Sequence, residues 1–208
     1  LYDISASPEG RSVDLDWLAR VSRLLDIPFC VAGGIASVEQ ARRVLGEGAD
    51  KVSVNSPALR RPALVAELAE AFGEQCVVVG IDSQRDADGE WRVRRDSGDP
   101  ARTQALPLRT LDWIRQVQEL GAGEIVLNCM GSDGVRRGYD LAQLRAARAV
   151  CEVPLVASGG AGSAGDFAAA FAEADVDAAL AASVFHSGEV RIPALKRELR
   201  AQGIEVRT

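Results

Sequence analysis

Short β-branched apolar runs in this chain alternate regularly with longer stretches whose apolar residues recur at helical period. That alternation constrains the fold more than any other feature, because it is the signature of βαβ units on a parallel sheet. Seven runs read as strands: Leu1 to Ser5, Pro28 to Gly33, Lys51 to Asn55, Cys76 to Asp82, Glu124 to Cys129, Pro154 to Ser158 and Ala178 to Val184. Helices are expected between and after them, near residues 13–25, 37–47, 60–72, 109–120, 140–150, 163–173 and 191–202. Ser37 with Gln40, Asp140 with Gln143 and Ser163 with Asp166 stand where a helix cap and its third residue belong. Residues 83–108 break the rhythm: Asp88-Gly89 signals a hairpin turn, and Trp91-Arg92-Val93-Arg94 alternates like a strand. The insertion reads as a solvated hairpin, placed at a strand's C-terminal end where a lid would sit.

Seven parallel strands are one short of a closed (β/α)₈ barrel, a fold that takes about 250 residues, whereas this chain has 208. The expected class is therefore α/β: a single-domain (β/α)₈ TIM barrel, N-terminally incomplete, with its first strand and helix missing. The natural protein is then expected to be longer by roughly 45 to 50 residues, one βα unit and part of a strand.

Composition narrows the function. A net charge of −6 and scattered Lys and Arg give no footprint for nucleic acid, so any phosphate must be held locally. No apolar run reaches the length of a membrane span. The four cysteines, Cys30, Cys76, Cys129 and Cys151, have no C-x-x-C spacing and read as reduced core thiols of a cytoplasmic protein. Nothing calls for a cofactor or a metal.

Val31-Ala32-Gly33-Gly34 and Ala157-Ser158-Gly159-Gly160 are the same device, a strand ending in paired glycines before a helix, repeated after 126 residues. A second matched strand end follows each: Val54-Asn55-Ser56 after the first, Ala181-Ala182-Ser183 after the second. Glycines admit close approach of a ligand, and helix N-termini attract anions. Two such cradles at one barrel mouth suggest two phosphates, although a glycine pair alone is more often only a tight turn. Active sites of this fold lie at the strands' C-terminal ends. Asp82 ends the apolar run Val77 to Ile81 there, which suits a general acid or base. Asp133, in Gly131-Ser132-Asp133-Gly134, also reads as an ordinary Asp-Gly turn.

Taken in order, Tyr2-Asp3-Ile4-Ser5, Val31 to Ile35, Ala49 to Asn55, Val79-Gly80-Ile81-Asp82, Gly121 to Ile125, Ser158 to Gly162 and Ala179 to His186 resemble the successive motifs of the cyclase family of imidazole glycerol phosphate synthase, in histidine biosynthesis. The resemblance runs through essentially the whole chain. It implies a lyase that joins ammonia to a bisphosphorylated ribulosyl-formimino aminoimidazole carboxamide ribonucleotide. The products would be imidazole glycerol phosphate and the aminoimidazole carboxamide ribonucleotide.

It implies Asp82 as one of two catalytic aspartates, the other lying on the absent first strand, and Asp133 as a further active-site aspartate. Phosphate contacts are implied at Gly34, Asn55 and Ser56 for one end and at Gly134, Gly160, Ala182 and Ser183 for the other. Lys51 and Glu124 match the entrance gate of an ammonia channel, and Asp50 matches a contact with the partner, a glutaminase subunit. Gly131 departs from the acidic residue that some members carry. His186, the only histidine, reads as a hydrogen-bonded structural residue. The rivals are the sister bisphosphate isomerase, which needs no gate, and a truncated, inactive module that still docks the glutaminase or binds phosphate.

Overall fold

Six of the seven expected runs pair side by side in parallel in the computed structural model, which describes residues 1–4 and 6–207. In chain order the elements are α1 (Ala6–Glu9), α2 (Leu15–Ser22), β1 (Cys30–Ala32), α3 (Val38–Gly46), β2 (Lys51–Val54), α4 (Ser56–Arg60), α5 (Ala63–Phe72), β3 (Val77–Arg85), β4 (Trp91–Arg95) and β5 (Gln104–Arg109). There follow α6 (Thr110–Glu119), β6 (Glu124–Cys129), α7 (Leu141–Arg148), β7 (Leu155–Ser158), α8 (Ala164–Ala174), β8 (Ala178–Leu180), α9 (Ser183–His186) and α10 (Ile192–Ala201). The parallel order is β1-β2-β3-β6-β7-β8, with helices covering the outside: the architecture of a (β/α)₈ barrel.

Three expectations change. The expected first strand is a single rung: Tyr2 bridges Ala32 in parallel, and Asp3 N–H and Ala32 N–H each close one bond across it. The ladder stops because Ile4 turns and α1 begins at Ala6, whose N–H is held by the Asp3 carboxylate. Ser5, the last residue of that expected run, lies outside the described residues. The helix expected over 60–72 is α5, which starts only at Ala63, and a separate short helix, α4, precedes it, because Pro62 disfavours helical backbone at Arg61 (φ −143°, ψ 84°). The last strand stops at Leu180, and Ser183 to His186 turn into α9.

The core lies between the outer face of the strands and the helices. Val31, Val52, Val54, Val77, Val79, Ile81, Ile125, Leu127 and Leu155 face Leu64, Leu68, Trp113, Ile114, Leu144 and Phe167 there, all buried. Because strand side chains alternate faces, the remaining positions face the barrel interior. On β2 and its end these are Lys51, Ser53 and Asn55; on β3, Val78, Gly80 and Asp82; on β6, Glu124, Val126 and Asn128. Cys129 and Cys151 are buried thiols, whereas Cys30 and Cys76 are only half-buried, so the core reading fits two of the four.

Beyond the barrel rim β3 continues to Arg85 and pairs antiparallel with β4, which pairs with β5. Gly89, in the turn, has φ 87°. Not all of this hairpin's charge is solvated: Arg94 is buried, donating to Gln84 and Asp86.

A Cβ at Gly123 would overlap the Glu74 carbonyl oxygen, while one at Gly46, in α3, would meet nothing within 4 Å. Chemical denaturation should find Gly123→Ala destabilised by about 1–3 kcal/mol and Gly46→Ala stabilised by roughly 0.5–1 kcal/mol.

Candidate active site

One cavity of about 620 Å³ opens at the C-terminal ends of the strands. All nine residues expected to act on or bind substrate line it: Asp82 and Asp133, Gly34, Asn55 and Ser56, and Gly134, Gly160, Ala182 and Ser183. At its centre the Asp82 carboxylate, only 8% exposed, accepts from three side chains on different elements. Asn55 Nδ2 reaches Oδ2 at 2.6 Å, Asn128 Nδ2 reaches Oδ1 at 2.7 Å, and Ser97 Oγ also donates to Oδ2. The setting is therefore polar, not the apolar surround that the run before Asp82 suggests.

Pairing of β3 with β6 sets Asp82 opposite Asn128, and Asn55 directly follows β2 on the other side. Each amide must turn its NH₂ toward the carboxylate, so its oxygen points away. Asn55 Oδ1 and Asn128 Oδ1 are both buried without a hydrogen-bond partner among the described residues. These are two acceptors beside Asp82, suited to N–H donors.

Asn128, Ser97, Ser53 and Tyr2 line the same cavity and were not singled out from sequence. Asn128 had a signal, the one polar residue inside the apolar run Ile125 to Met130. Ser97 had none, since it is the loop between β4 and β5 that carries it to the cavity. Burial, and to a lesser degree Cys30 and Glu124, push the Tyr2 phenol above the ordinary tyrosine range.

The two glycine cradles match each other in detail. Gly34 and Gly160 have φ 64° and 117°, and a Cβ on either would overlap the backbone carbonyl of the preceding loop, Arg11 for Gly34 and Gly138 for Gly160. These glycines are thus required by loop packing as well as by any ligand. Helix donors are less available than the sequence implied. Gln40 binds Ala36 N–H and Ser37 caps Gln40 N–H, while Asp166 takes the N–H groups of Gly162 and Ser163. It is the glycine stretches, not these caps, that line the cavity.

At the opposite end of the strands, Lys51 Nζ meets Glu124 Oε2 at 2.5 Å, with the side chains 30% and 18% exposed. The pair shares the inward rows of Asn55 and Asn128 and lies four residues, about 13 Å, down the strands from them. Asp50 accepts from Phe29 N–H at 2.7 Å, and Asp177 does the same for Leu155 at 2.8 Å, a further echo of the repeat. Asp50 is exposed beside the Lys51 end of β2. His186 is exposed on α9 and does not line the cavity. Among the described residues no group of three or more His, Cys, Asp or Glu is placed to hold a metal ion.

Comparison with known proteins gives the lineage. Residues 1–191 match the model of a family described as histidine biosynthesis protein. The chain belongs to that family. Within the family, it is 72% identical over 206 residues to imidazole glycerol phosphate synthase subunit HisF of Xanthomonas euvesicatoria pv. vesicatoria (strain 85-10), covering 99% of this chain and 80% of the relative. The identity and coverage are the same for the subunit so named from Stenotrophomonas maltophilia (strain R551-3). For that of Xanthomonas oryzae pv. oryzae (strain MAFF 311018) the identity is 71%, with the same coverage. No helix among the described residues of this family member is long and apolar enough to cross a membrane.

Breaking the half-buried Lys51–Glu124 pair from one side strands a charge at the barrel floor. Lys51→Met should cost roughly 1–3 kcal/mol of unfolding free energy, and adding Glu124→Leu should recover most of it. Simple additivity of the two substitutions in denaturant melts would mean that the pair is not coupled.

Proposed function

We propose that this chain is the cyclase subunit of an imidazole glycerol phosphate synthase. It would act on a bisphosphorylated ribulosyl-formimino ribonucleotide and ammonia, and release imidazole glycerol phosphate and the aminoimidazole carboxamide ribonucleotide. The observation that carries this reading is the placement of Asp82 between two matched cradles on one cavity. The names of the HisF relatives support it.

Gly34, Asn55 and Ser56 would hold one phosphate, and Gly134, Gly160, Ala182 and Ser183 the other. A substrate so stretched brings its middle over Asp82. Held as an acceptor by three donors, Asp82 is oriented to take a proton from the attacking nitrogen or return one during ring closure. The free Oδ1 atoms of Asn55 and Asn128 would orient that nitrogen through its N–H bonds. Asp133, on the cavity wall, would act beside the second phosphate.

Ammonia would enter from the far end of the strands, where Lys51 and Glu124 stand on the inward rows that lead to Asn55 and Asn128. A glutaminase subunit would dock at that end, near Asp50. Tyr2 and Ser53 line the path between. The gate pair favours the cyclase over the sister isomerase, which consumes no ammonia.

The direct test is turnover with ammonium salts and the bisphosphate, compared with turnover of the isomerase substrate. Asp82→Asn should lower cyclase turnover by about 10²- to 10⁴-fold, with bisphosphate affinity changed by less than a few-fold. Turnover close to wild type would remove Asp82 from the chemistry.

A further inference from the structure

Two phosphates carry several negative charges into a chain whose own net charge is −6, and glycine backbone alone supplies no full positive charge. The cavity is lined by three arginines, Arg60, Arg102 and Arg136. Two of them stand in the two cradles. Arg60 ends α4, the short helix that begins at Ser56. Arg136 lies two residues after Gly134, and its carbonyl packs where a Cβ on Gly162 would lie.

Each of the two is held by a carboxylate from another loop. Arg60 Nη2 donates to both oxygens of Asp96, at 2.6 and 2.7 Å. The backbone N–H of Asp96 meanwhile donates to Ser56 Oγ at 2.9 Å, so one residue occupies both the guanidinium and the hydroxyl of that cradle. Asp96 lines the cavity and sits in the left-handed region at φ 58°, an uncommon backbone for a residue with a side chain. In the second cradle Arg136, itself at φ 59°, donates to Glu189 Oε1 at 2.7 Å. That bond, with a smaller contribution from Ser187, holds the Glu189 carboxyl below the ordinary glutamate range.

Both guanidinium groups are well exposed, 51% for Arg60 and 38% for Arg136, and ion pairs in such settings are weak. A phosphate dianion offers a guanidinium more charge and more acceptor oxygens than a carboxylate does. A phosphate is thus a strong competitor of the carboxylate for each guanidinium.

We infer that Arg60 and Arg136 are the cationic clamps for the two phosphates, one in each cradle, and that Asp96 and Glu189 are the counterions which an arriving phosphate displaces. The inference rests on the bisphosphate reading above and deepens it by assigning the charge that binds each end. The same loop joins that cradle to the carboxylate, since Asp96 N–H holds Ser56 Oγ and the next residue, Ser97, donates to Asp82.

Calorimetric titration of the chain with the bisphosphorylated substrate, and separately with each monophosphorylated product, tests this. Arg60→Gln and Arg136→Gln should each weaken the bisphosphate by roughly 10- to 100-fold. Each should weaken a different product, because each product keeps only one phosphate. Asp96→Asn, which retains the backbone N–H but removes the competing charge, should tighten the bisphosphate several-fold. Circular dichroism melts of the same variants identify any loss due to unfolding, and the tightening by Asp96→Asn cannot arise from unfolding. Wild-type binding with both glutamine variants within twofold of it, or Asp96→Asn binding no tighter than wild type, would overturn the clamps and leave the bisphosphate reading standing. Failure of the wild-type chain to bind the bisphosphate would remove that reading and the clamps together.

Discussion

The site depends on a single carboxylate held from three directions. Asp82 ends the barrel portion of β3, and its neighbours β2 and β6 deliver an amide on each side because parallel register sets Asn128 opposite it and Asn55 just beyond β2. The third donor, Ser97, comes from the hairpin loop. Charge-assisted hydrogen bonds of this kind contribute about 1.5–3 kcal/mol each. They fix the carboxylate and, by using up the NH₂ group of each amide, leave the amide oxygens turned away from it. Orientation of the acceptor and exposure of the two free acceptors are thus one event.

Around that centre the chain is built twice. Gly34 packs on Arg11 as Gly160 packs on Gly138, Asp50 holds Phe29 as Asp177 holds Leu155, and Arg60 meets Asp96 as Arg136 meets Glu189. The first two correspondences are forced by backbone packing and strand pairing. The third is made by side chains from unrelated positions and carries charge. A barrel that is twofold at its rim offers two equivalent sites, and a ligand with a phosphate at each end would satisfy both at once.

The alternation of strands and helices was legible because apolar period and turn residues are local properties. The paired glycines and the place of Asp82 at a strand end were legible for the same reason, as was the inward position of Lys51 and Glu124 at the starts of their strands. What was not legible is what long-range packing decides. Ser97 reaches Asp82 only through the loop between β4 and β5, 15 positions along the chain. Reading the paired glycines as ligand-facing leaves out the neighbouring loop's carbonyl, a constraint that exists only in three dimensions. The polar setting of Asp82 was hidden likewise, because the residues before it in sequence are apolar and its partners are 27, 46 and 15 positions away.

A crystal structure of the Asp82→Asn variant with the bisphosphorylated substrate bound tests the central claim most directly, since slow turnover would preserve the ligand. The expected result is one phosphorus beside Gly34 and Ser56, the other beside Gly160 and Ser183, and the connecting atoms lying over position 82. Both phosphates in one cradle, or either of them at the Lys51 end of the strands, would contradict it.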